Sequence, residues 1–109
     1  MSDVTVSFTP EFRRSIRRLA RKYRNIRNDV QPIITKLTQG EIPGDQIQGI
    51  GHTVFKVRVK NSDAQRGKSG GYRIILLFAN FFGHYSNNDL LKAEQGDISA
   101  EQIRRIIGE

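Results

Sequence analysis

The chain has 109 residues and a formal net charge of +7, with no Cys and two His. That length suits one domain burying its own core; the lack of Cys excludes disulfides and Cys-based metal sites, and two histidines are too few for a zinc site. The charge favours a polyanionic partner: RNA, DNA, a ribosome or an acidic protein. The longest apolar run, Ile74 to Ala79, has six residues, far short of a membrane span. The opening MSDVTVSFTP lacks the basic-then-apolar order of a signal peptide, so a cytoplasmic protein with no membrane partner is expected.

Val4, Val6 and Phe8 alternate with polar residues, which predicts a strand over 3–8. Thr9-Pro10-Glu11 then starts a helix: a capping hydroxyl, a proline suited to the first turn, and an acid at the positive helix end. Phe12, Ile16, Leu19, Ala20 and Tyr23 form its apolar face, and the arginines occupy the rest. A second helix is expected over 29–39, with Val30, Ile33, Ile34 and Leu37 inward and Gly40 ending it. Gly44 and Gly49 mark a loop. Strands follow over 53–59 and 72–78, separated by the polar stretch 61–71. Ser99 caps a closing helix, with Gln102 as its capping-box partner and Ile103, Ile106 and Ile107 on one side. The expected class is α+β, a single domain in which a small antiparallel sheet packs on two N-terminal helices, with a short C-terminal helix.

The chemistry concentrates in VFKVRVK (54–60) and QRGKSGGYR (65–73). Six basic residues, Lys56, Arg58, Lys60, Arg66, Lys68 and Arg73, face one acid, Asp63, in this stretch. If the two strands are neighbours, Arg73 lies beside the Lys56/Arg58 face. Such a patch suits phosphate chemistry without a metal. RNA breaks when its 2′-OH attacks the adjacent phosphate, which requires a base, positive charge on the phosphorane and protonation of the leaving oxygen. A lysine set among arginines can serve as the base, and arginine clamps phosphate through two hydrogen bonds. A solvated basic strand that only binds a polyanion is the alternative from chemistry alone. Tyr72 is expected to pack or stack locally, and His52 and His84 to be ordinary surface or loop residues. Glu94, Asp97 and Glu101 are explained by the start of the last helix.

The order VTVSFTPEF, two helices, FKVRV, RGKSGGYRII and a final SAEQIRRII resembles the RelE/ParE superfamily of toxins from toxin-antitoxin modules, near its RelE and HigB branches. The likeness covers residues 4–76 and 96–107, and RGKSGGYR is its most specific part. It implies ribosome-dependent cleavage of messenger RNA without a metal or other cofactor, and neutralisation by a cognate antitoxin. It implies catalytic roles for Lys56 (general base or phosphate ligand), Arg58 and Arg73 (holding the scissile phosphate). It implies RNA-binding roles for Lys60, Arg66, Lys68 and Lys92. Some members carry an aromatic before the last helix; here the position reads Asp97-Ile98-Ser99, so acid catalysis falls to a basic residue or is absent. Two other functions stay open: a ParE-like inhibitor of DNA gyrase, and a decayed toxin that only captures its antitoxin.

The span 76–92, LLFANFFGHYSNNDLLK, departs from the family's pattern, which has a core strand there. Residues 83–89 are a polar, turn-like run, and no strand is expected from them. Translated one nucleotide later, the span can encode YYLQTSSGIILTMIYSK, a strand, a turn and a β-branched strand. Position 88 then becomes Met or Thr, and position 89 Ile or Thr. Ordinary divergence and a pair of compensating frame changes are both consistent with this. The written residues are expected to leave 80–91 mobile and the fold short of one apolar strand.

Overall fold

The computed structural model describes residues 3–63, 71–81 and 85–108. The class is α+β, as expected, built from three helices and a five-stranded sheet. Strand β1 (Asp3–Phe8) leads into helices α1 (Pro10–Ala20) and α2 (Ile26–Thr38). Strands β2 (Asp45–Ile47), β3 (Val54–Val59), β4 (Tyr72–Phe81) and β5 (Tyr85–Glu94) follow, and α3 (Ala100–Ile107) comes after them. The order across the sheet is β1-β5-β4-β3-β2. The last four strands are antiparallel neighbours, while β1 joins β5 in parallel, so the sheet is mixed.

The helix ends follow their sequence signals. Thr9 Oγ1 accepts the Phe12 N–H at 2.9 Å and donates to the Leu91 carbonyl, tying the start of α1 to β5. Gly40, at φ +86°, stands just beyond α2, where left-handed backbone suits glycine. Ser99 and Gln102 form the expected capping box of α3. Helix α2 begins at Ile26, three residues before the expected start, because Ile26 is itself fully buried on its inner face.

Residues alternate between the two faces of each strand, and both faces are covered. One face carries Val57, Val59, Tyr72, Ile74, Leu76, Leu90 and Ala93, buried under Phe12 and Leu19 of α1 and Ile26, Val30 and Leu37 of α2. The other carries Val54, Ile75 and Leu91, which with Ile50 pack beneath Ile103 of α3. Arg104 fastens α3 further by donating to the carbonyls of Gly49 and Ile50.

Residues 85–89 correct the expectation of a turn-like run with no strand, since Tyr85–Glu94 is one ten-residue strand, while residues 83 and 84 lie outside the described residues. It forms because it lies between two partners, β1 and β4, and their backbone groups complete its ladder on both edges. Its side chains remain polar. Asn88 is buried between Val6 and Phe78, its register partners, and its Oδ1 has no hydrogen bond. Asp89 is half-buried, and desolvation raises its carboxyl above the ordinary value. Asn87 fares better, accepting from Ser7 Oγ at 3.0 Å. The short strand β2 was also not expected; it pairs along β3 from Asp45 to Ile47, where the glycines on either side suggest only a loop.

Candidate functional site

Strand register assembles the basic residues. Arg58 pairs directly with Arg73, and Lys56 with Ile75, which pairs in turn with Lys92 of β5. Directly opposed residues share a face, so Lys56, Arg58, Arg73 and Lys92 all lie on the α3 side of the sheet. Lys56 and Lys92 stand two strands apart, roughly 10 Å at the usual strand spacing. A register shift between Ile75 and Leu76 leaves Leu91 as an extra residue in β5. This bulge lets Leu91 enter the core under α3 while Lys92 faces the same way.

The cations differ in their surroundings. Arg73, with 22% of its side chain exposed, donates from Nη1 to the Gln95 carbonyl at 2.8 Å. Its Nε lies 3.5 Å from Asp97 Oδ1 but has no hydrogen-bond partner. The same Asp97 oxygen is 3.9 Å from Lys56 Nζ. Lys92, 14% exposed, stands 3.5 Å from both Glu11 and Glu94. Arg58 and Lys60 are exposed, and among the described residues neither has a carboxylate beside it. Arg66 and Lys68 lie outside the described residues, as does His84.

Ion pairs between α1 and β5 brace the site. Glu11 accepts from Arg14 at 2.8 Å, and this bond, with the nearby Lys92 charge, holds its carboxyl below the ordinary value. Glu94 receives Arg18 at 3.0 Å. Between the start of α1 and α3 opens a cleft of about 500 Å³ lined by Glu11, Arg14, Lys92, Gln102 and Arg105. Gln95 also donates to the Tyr23 hydroxyl at 2.8 Å, and Tyr23 packs edge-on against Tyr72. Tyr72 is fully buried, and burial, with Asp29 and Asp63 nearby, pushes its phenol far above the ordinary range. It packs, as expected, and its hydroxyl is in no position to donate a proton to a ligand.

Two of the three acids expected at the start of the last helix lie elsewhere: Glu94 ends β5 beside Arg18 and Lys92, and Asp97 lies against the basic patch. Asp97 precedes the Ser99 cap of α3 and reaches across to Lys56 and Arg73, rather than serving the helix start. Glu101 does occupy the first turn of α3, with Arg105 at 3.9 Å. Only the adjacency of β3, β4 and β5 could have revealed the role of Asp97. Among the described residues, no group of three His, Cys, Asp or Glu side chains converges as a metal site would require, and no helix is long and apolar enough to cross a membrane.

No known family model, curated protein or solved structure matches this chain. The chemistry of the patch therefore rests on its own geometry. Two arginines and two lysines share one sheet face, one guanidinium N–H is unbonded, and one exposed carboxylate lies between Lys56 and Arg73. The arrangement can hold a phosphodiester by paired charge and directed N–H groups.

Proposed function

We propose that the chain is a RelE-like toxin of a toxin-antitoxin module, an endoribonuclease that cuts messenger RNA on the ribosome. The observation that carries this reading is the Arg58–Arg73 pairing with Lys56 two residues away on the same face. Like charges directly opposed on a sheet are unfavourable, and an anionic ligand between them offsets that cost. Arg73 and Arg58 hold the scissile phosphate, and Lys56 accepts the 2′-OH proton or adds a third phosphate contact. The 2′-oxygen bonds to phosphorus, the bond to the 5′-oxygen breaks, and that oxygen takes a proton from a neighbouring basic group. Lys60 and Lys92 extend the cationic surface along the RNA, and the family likeness gives Arg66 and Lys68 the same RNA-binding role. A cognate antitoxin would neutralise the chain by laying acidic or apolar residues over the same patch or by displacing α3.

Expression in growing cells, with transcript ends mapped against ribosome position, tests this. Growth arrest with cuts in translated transcripts is expected, and Lys56→Ala combined with Arg73→Ala should abolish both. Intact translated transcripts despite abundant folded protein would refute the enzymatic reading. If that protein still bound the product of a neighbouring gene, it would be a non-cutting copy; the Asn88 amide oxygen, buried in β5 without a hydrogen bond, favours that second reading.

A further inference from the structure

We infer that the Asp97 carboxylate is an internal competitor for the anion bound by Lys56 and Arg73, and so sets which phosphate ligands can occupy the site. The inference rests on the proposed role of those two cations in holding RNA. Asp97 Oδ1 lies 3.5 Å from Arg73 Nε and 3.9 Å from Lys56 Nζ, between the two groups a phosphate would join. A carboxylate presents two anionic oxygens, much as a phosphodiester does, so the two are alternatives for one position.

The contact is built to be displaced. Asp97 is 77% exposed, so its release returns a carboxylate to water with little loss. Arg73 Nε, buried beside Asp97, makes no hydrogen bond, so a phosphate oxygen that takes the place of the carboxylate gains a donor that is unsatisfied with Asp97 in place. The Arg73 Nη1 bond to the Gln95 carbonyl does not depend on Asp97, so the guanidinium keeps its orientation when the carboxylate leaves. Asp97 stays close because its segment is short and anchored at both ends, by the end of β5 at Glu94 and the capping box at Ser99.

Specificity follows. A lone phosphate exchanges one anion for another and gains little. A polynucleotide also reaches Arg58 and Lys60, exposed on the same basic face, and those added contacts outweigh the displacement of Asp97. Asp97 thereby rejects small phosphates, which are abundant in cells, in favour of a nucleic-acid chain.

The test uses ribosomes carrying a messenger that is 2′-deoxy throughout its A-site codon, so that binding is read without cleavage. Inorganic phosphate serves as the small competitor. Asp97→Asn should tighten ribosome binding by roughly three- to tenfold, the range for two partly exposed ion pairs. It should also make that binding more sensitive to inorganic phosphate. Glu101→Gln makes the same change in charge on α3, where its neighbour is Arg105, and should have a smaller effect. Equal effects of the two variants, or weaker binding by Asp97→Asn, overturn the inference while leaving the RNA site standing, provided Arg73→Ala still abolishes binding. No binding by the unaltered chain, or binding indifferent to Arg73→Ala, overturns the RNA site and the inference together.

Discussion

Arg58 and Arg73 stand directly opposite one another on β3 and β4, and only Arg73 has a carboxylate beside it among the described residues. Opposed like charges on a sheet cost a few tenths of a kcal/mol up to about 1 kcal/mol. Arg58→Thr should therefore leave stability unchanged or raise it by about 0.5 kcal/mol, while weakening ribosome binding severalfold. Thermal melts and the binding assay on one preparation check both halves. A variant that loses stability and keeps its binding would mean that Arg58 is structural.

Asn88 gives a second prediction. Its Oδ1 is buried without a hydrogen bond between apolar register partners. Replacing such a group with an apolar side chain removes a penalty of about 1–3 kcal/mol, less the packing cost of the longer Met. Asn88→Met should raise the urea midpoint accordingly, and a fall in midpoint would show that the amide has partners in solution. Met is also one of the two residues that the one-nucleotide-later translation places there, and Ile or Thr replaces half-buried Asp89 in the same reading. The gene itself discriminates: an open shifted frame across 76–92 rich in β-branched residues supports two compensating frame changes, and stop codons in that frame exclude them.

Two carboxylates should give the stability opposite dependences on pH. Burial raises Asp89 above its ordinary value of 3.8, so its favourable contribution is complete below that value and is lost as pH rises through the folded-state pKa. Glu11, held below its ordinary 4.5 chiefly by the Arg14 hydrogen bond, contributes above that value and loses the contribution as pH falls through its folded-state pKa. Relative to the unaltered chain, Asp89→Asn should gain in melting temperature as pH rises from about 3 towards 7, while Glu11→Gln should fall behind over the same range. Parallel curves for all three proteins would contradict both assignments.

Gly44 connects packing to the site. A Cβ there would meet the Lys56 carbonyl oxygen at 2.6 Å and Val57 Cγ2 at 2.7 Å. Because the nearest atom belongs to the backbone of β3, relief must move the strand that carries Lys56. Gly44→Ala should cost about 1–3 kcal/mol, the usual range for overpacking, and lower activity beyond what the lost stability explains. Measuring cleavage well below the melting temperature separates the two effects.

The basic patch was legible in the sequence because its parts obey local rules. Val54, Val57 and Val59 mark a strand, and Lys56 and Arg58 must share one of its faces. Arg73 begins the next apolar run, so a simple hairpin brings it alongside. The helix caps at Thr9 and Ser99 were legible for the same reason. Strand β5 was not, because Ser86, Asn87, Asn88 and Asp89 carry no apolar alternation; two neighbouring ladders impose extended structure on them. The parallel pairing of β1 was equally hidden, since it joins residues far apart in sequence. Asp97 looked like part of a helix start because its real neighbours, Lys56 and Arg73, come from strands whose order no periodicity encodes.

The distance along the chain between β1 and its partner has a consequence for synthesis. Thr9 donates to the Leu90 carbonyl, 81 residues later. A nascent chain thus exposes α1, α2 and both basic strands while the strand that seats β1 is still unmade, and contacts this distant form late. Lys92 and Asp97 arrive later still. The face that gathers Lys56, Arg73, Lys92 and Asp97 is therefore assembled only after its two hairpin strands have waited for β5 and the segment that follows it.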